Sequence, residues 1–111
     1  MEIRTEQCGA ITVIKPEGPL THAEASDFES TVREMIKVHR GRVVLDMAKV
    51  PYVDSRGLGT LVEITHQLVH LGQSLRLCSV NETLQQVIHV TGLSSLFEQF
   101  QDPNVAVRSF L

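Results

Sequence analysis

The chain contains no tryptophan, one tyrosine and two cysteines among its 111 residues. So few aromatic side chains leave no platform on which nucleobases could stack. The ten Lys and Arg are scattered rather than clustered, and the formal net charge is −3. No basic patch of the kind that grips a phosphate backbone is present, so direct nucleic acid binding is not expected. Cys8 and Cys78 lie far apart, each in an apolar strand-like stretch. Met1-Glu2-Ile3-Arg4 lacks the apolar run of a signal peptide, which favours free thiols in a cytoplasmic protein over a disulfide. No segment reaches the length of a bilayer span, so membrane insertion is not expected either.

Catalytic signatures are equally scarce. No Gly-Lys-Ser/Thr phosphate loop occurs, and Gly57-Leu58-Gly59 is too short for a dinucleotide fingerprint. Ser55 lacks the glycine two residues earlier that a nucleophile elbow requires. Glu63, His66 and His70 have helical spacing, and two imidazoles four apart can grip zinc. They fall away from the leucine stripe, however, and a closed site needs ligands from elsewhere. Neither an enzyme, nor a cofactor, nor a metal site is expected.

What remains is an ordinary globular composition, 42% apolar and 21% charged, in a length that suits a single domain over residues 1–111. Ile3 to Thr5 and Ile11 to Ile14 predict two short strands turning at Cys8-Gly9, with Pro16 and Gly18-Pro19 stopping the second. Thr21-His22-Ala23-Glu24 matches a capping box. The helix it starts carries Ala25, Phe28, Val32, Met35 and Ile36 on one face and ends at Gly41. Val43-Val44-Leu45 is a continuous apolar run, the pattern of a strand buried on both faces. A second helix begins near Ser55, with Leu58, Leu61, Val62, Thr65, Leu68 and Val69 as its stripe and Gly72 as its stop. Ile64 and Leu71 fall on its flank, as peripheral core or as part of a partner surface.

Ser74 to Val80 predicts another strand, and Asn81 caps a short helix burying Leu84, Val87, Ile88 and Thr91. Leu93 to Phe100 predicts a turn and a last strand, and Asp102-Pro103 starts a helix running to Leu111. Alternating strands and helices define an α/β fold. Its sheet is mixed and mostly parallel, with an N-terminal antiparallel hairpin and about four packing helices. Strand order is not legible from this pattern.

In such a sheet the loops leaving the strands' C-terminal ends gather at one edge, together with helix N-termini. Gly18 to His22, Lys49 to Ser55 and Ser79 to Glu82 should therefore be neighbours, with Ser55 at their centre. A serine at a helix start is either a cap or a place where an added anion is tolerated.

Asp54-Ser55-Arg56-Gly57-Leu58-Gly59, preceded by Val43-Val44-Leu45-Asp46 and Val50, resembles the anti-sigma-factor antagonists. That family has the STAS domain, named for sulfate transporters and anti-sigma antagonists. The resemblance extends over essentially the whole chain, from Gly18 before the first helix to Leu75-Leu77 and the Gly92-Leu93 to Leu96-Phe97 segment. It implies a STAS-type sheet and a binding protein in which Ser55 is the phosphoacceptor. The implied partners are an anti-sigma factor that is itself a serine kinase and a serine phosphatase that reverses the modification. The implied partner-binding set is Thr21, His22, Val53, Asp54, Arg56, Gly57 and Leu58. The chain departs from the family at Thr21, where an Asp is usual, and at Arg56, where Ser or Thr is common. A guanidinium at Arg56 can pair with a phosphate or with Asp54. The competing expectation is a non-switching scaffold or transporter-associated subunit in which Ser55 only caps the helix.

Overall fold

Gly9 and Ala10 form a two-residue turn, with Gly9 in the left-handed region at φ +64°. The turn joins β1 (Glu2–Cys8) to β2 (Ile11–Glu17) as an antiparallel pair. The computed structural model describes every residue from Met1 to Leu111. Both strands run further than the sequence suggests, and β2 passes straight through Pro16. Register explains why the proline does not stop it. Cys8 and Ile11 flank the tight turn as a hydrogen-bonded pair, so by alternation Ile3 and Pro16 form a non-bonded pair. The missing N–H of Pro16 thus points toward the next strand, whose pairing with β2 has already ended at Ile14.

The remaining elements follow in the expected order. They are α1 (His22–His39), β3 (Val43–Asp46), α2 (Ser55–Val69), β4 (Leu75–Cys78), α3 (Glu82–Val90), a short 3₁₀ turn, β5 (Phe97–Phe100) and α4 (Pro103–Arg108). β2, β3, β4 and β5 are parallel, and the sheet order is β1-β2-β3-β4-β5, the same as the chain order. All of β3 is buried, as its unbroken apolar run predicts. Its side chains alternate between faces: Val43 and Leu45 enter the larger core under α1, α2 and α3, while Val44 enters the smaller core under α4. Cys78 is buried in that smaller core, and both cysteines are free thiols.

Three helix faces differ in detail from the predicted stripes. On α1 the buried set is Ala25, Phe28, Val32 and Ile36, with Met35 at the margin. On α2 the stripe is rotated toward Ile64, which is fully buried, and away from Val69, which is 61% exposed. Ile64 is therefore core and unavailable to a partner, while Leu71 lies largely exposed beyond the helix end. On α3 only Leu84 and Ile88 are buried; Val87 is half-buried, and Thr91, which ends the helix as its C-cap, is exposed. The C-terminal helix α4 is shorter than expected and stops at Arg108. No helix is long and apolar enough to cross a membrane.

Candidate functional site at the sheet edge

The three loops leaving β2, β3 and β4 meet as the topology requires. Residues 18–20 run alongside residues 49–54, with single backbone pairings between Glu17 and Lys49 and between Leu20 and Val53. Gly18 N donates to Lys49 O at 2.9 Å, Leu20 N to Tyr52 O at 3.0 Å, and Asp54 N to Leu20 O at 3.1 Å. From the other side the Asn81 side-chain amide donates to Pro51 O at 2.9 Å and to Val50 O at 3.4 Å. The loop carrying Ser55 is thus held between its two neighbours.

Asp54 is the hinge pin of this edge. Its backbone is extended, and it is the N-cap of α2: Oδ1 accepts from Gly57 N at 2.8 Å. The second oxygen, Oδ2, accepts from His22 N at 2.9 Å, the first amide of α1. His22 Nδ1 stands 3.9 Å from the same oxygen. The Gly57 amide, opposed by partial burial and reinforced by the His22 and Arg56 amides and the His22 charge, holds this carboxyl below its ordinary range.

This corrects two expectations. Ser55 is not the helix cap but the first helical residue, and its exposed hydroxyl makes no hydrogen bond within the chain. Asp and Ser are comparably good caps, so the sequence pair alone does not choose between them. The carboxylate occupies the position because its two oxygens serve two helices at once. The capping box at Thr21 is likewise not made. Thr21 is the N-cap residue of α1, but its hydroxyl donates to Glu24 Oε2 at 2.7 Å and bonds no backbone amide. The Asp54 carboxylate has taken the first backbone donor of α1.

The other predicted site residues divide by depth. His22, Ser55 and Arg56 are exposed, and Thr21 and Asp54 are half-buried. Arg56 forms no ion pair, so the anticipated pairing with Asp54 is absent. Val53 is half-buried beside Leu20. Gly57 and Leu58 are buried and hold the loop up from beneath. A methyl group added at Gly57 would run into the Leu20 carbonyl oxygen and lie 2.9 Å from both Leu20 Cγ and Val53 Cγ1. Only glycine lets the start of α2 approach that closely.

Two residues of this edge were not singled out by sequence as site residues. Tyr52 is 52% exposed at the tip of the Ser55 loop. A tyrosine in a turn between a buried strand and a helix start was the available signal. Asn81 was legible as a cap, which it is, but its second role toward Val50 and Pro51 depends on tertiary packing.

Glu63, His66 and His70 lie along the C-terminal half of α2 and at its C-cap, and all three are exposed. With Arg33, Lys37 and Arg40 they line an open groove of about 450 Å³ between the C-terminal halves of α1 and α2. Lys37, in the last turn of α1, offsets the negative end of that helix's macrodipole.

The STAS domain model matches residues 2–106, and the chain belongs to the STAS domain family. BtrV of Bordetella bronchiseptica, named as a candidate anti-sigma factor antagonist, is 23% identical over 110 residues, covering 99% of this chain and 95% of that protein. Among solved structures, a candidate anti-sigma factor antagonist from Thermotoga maritima superposes with a TM-score of 0.88 at 21% identity, over 96% of this chain and 92% of the other. The Bacillus cell fate determinant SpoIIAA in its phosphorylated form superposes with a TM-score of 0.70 at 17% identity, over 97% and 99%. At these identities the structural likenesses establish the fold.

Proposed function

We propose that this STAS domain is an anti-sigma factor antagonist that binds an anti-sigma factor through the edge around Ser55 and is switched off by phosphorylation of that serine. The observation that carries this reading is the uncommitted state of Ser55. It is exposed at the centre of three converging loops, and Asp54 has relieved it of any capping duty. The names of the Bordetella and Thermotoga relatives, and the existence of a phosphorylated form of the Bacillus relative, support it.

The electrostatics give the switch a direction. A phosphate brings roughly −1.5 to −2 charges and strong acceptor oxygens. Within the domain it lies at a helix start beside the unpaired Arg56 guanidinium, so the fold tolerates it. Asp54 is already ionised beside it, so the edge becomes strongly anionic. A partner packed against the edge meets that charge by repulsion and by the cost of desolvating it. The partner is a serine kinase that is itself the anti-sigma factor, and a separate phosphatase restores binding.

The test is affinity capture from lysate of the native host with Ser55→Ala and Ser55→Asp baits, read by mass spectrometry. The alanine bait is expected to retain a serine kinase that the aspartate bait loses, with both baits equally folded by thermal melting. Equal recovery by wild type, alanine and aspartate baits overturns the proposal.

A further inference from the structure

The Ser55 loop is fastened unequally on its two flanks. Toward α1 it is held by backbone hydrogen bonds through Gly18, Leu20 and Asp54, in addition to the Asp54 carboxylate on His22. Toward β4 and α3, the last backbone bond is Met47 N to Cys78 O at 2.9 Å. Beyond it, the hydrogen bonds across that flank come from one side chain, Asn81. Its amide divides its labour. Oδ1 accepts from Leu84 N at 2.8 Å and caps α3, while Nδ2 reaches Pro51 O at 2.9 Å and Val50 O at 3.4 Å.

We propose that Asn81 is a positioning residue for the recognition edge: it fixes the Ser55 loop to the first turn of α3 and so sets the loop conformation a partner meets. Recognition is taken here from the function proposed above; the tether itself is independent of it. The chemistry is specific to asparagine. A cap needs only an acceptor, which Ser, Thr and Asp also supply. Holding two carbonyl oxygens as well needs donors on the same side chain. Asp has none, Ser and Thr have a single O–H on the same atom that caps, and Asn has two N–H donors apart from its acceptor oxygen. The acceptors belong to residues immediately before Tyr52, so loosening them frees the exposed tip of the loop first.

One substitution separates the two roles. Asn81→Asp keeps an oxygen for Leu84 N, removes both N–H donors and turns a carboxylate toward two carbonyls. Asn81→Ala removes cap and tether together. Tyr52 reports directly on the loop, because the chain has one tyrosine and no tryptophan. In Asn81→Asp, the fluorescence anisotropy of Tyr52 is expected to fall. Amide exchange at Leu20, Val50 and Asp54 is expected to quicken by about three- to ten-fold, the loss of one net hydrogen bond, while Leu84 stays as protected as in wild type. Unchanged Tyr52 anisotropy and loop exchange in Asn81→Asp overturn the tether. So does a loop change confined to Asn81→Ala and proportional to its loss of thermal stability, because capping alone then explains it.

Recognition is read by adding Asn81→Asp to the Ser55→Ala bait. Recovery of the captured kinase is expected to drop several-fold, and undiminished recovery from a loosened loop overturns the positioning role. If Ser55→Ala alone captures no kinase, the proposed function falls, while anisotropy and exchange still decide the tether.

Discussion

The Asp54 carboxylate accepts the backbone N–H of His22 at 2.9 Å, joining helix starts that lie 32 residues apart in the chain. With its other oxygen on Gly57 N, a single side chain caps α2 and anchors α1. The geometry of the proposed recognition edge therefore depends on a charge immediately beside the proposed phosphoacceptor.

Because its partners hold the Asp54 carboxyl below the ordinary value of 3.8, it contributes stability at every pH above that value. The contribution disappears as pH falls through the lower value of the folded state. Asn has one acceptor oxygen where Asp has two, so Asp54→Asn leaves either Gly57 N or His22 N unpaired. Thermal melts from neutral to strongly acidic pH should show the variant less stable at neutrality, with the gap to wild type closing below about pH 4. Glu17, whose carboxyl is lowered by Lys49 and Arg4, adds acid sensitivity to both proteins and cancels in the difference. A gap that stays constant across the range would refute the account of Asp54.

Ser55→Ala should leave stability within about 0.5 kcal/mol of wild type, because the hydroxyl is exposed and caps nothing. A serine acting as the cap would cost about 1 kcal/mol on the same change. Urea denaturation of the two proteins separates these values.

Gly57→Ala forces a methyl group against the Leu20 carbonyl, which belongs to backbone and cannot swing aside. The expected loss is about 1–3 kcal/mol. Gly59→Ala is the control on the same helix: nothing lies within 4 Å of the added carbon, and alanine favours helix. A destabilised Gly59→Ala, or a neutral Gly57→Ala, would mean that the close approach is not what glycine provides here.

Where one local rule governed, the sequence was sufficient. The β3 run, the Asn81 and Asp102 caps and the convergence of three loops on Ser55 all follow from short patterns or from topology, and all are present. Where two local rules competed, tertiary contacts decided. Asp54 outcompeted Ser55 as a cap because a second helix offered its own amide. Pro16 remained inside a strand because the register aimed its missing donor at an unpaired flank. Strand order and the reach of Asn81 to Pro51 had no local signature, since each depends on residues about thirty positions apart.

The two thiols lie in unlike surroundings. Cys78 lies under α4, where burial, reinforced by the Asp46 charge, pushes its thiol up to about 12 and keeps it protonated and inert. Cys8 closes the hairpin turn at the end of the sheet away from Ser55, and it is only partly covered. A maleimide dye should therefore attach at one position in the native protein, which mass spectrometry of the labelled chain verifies. No cysteine has to be removed or introduced first. The label would stand at the far end of the domain from the edge where a partner is expected, giving an optical handle that leaves the site untouched.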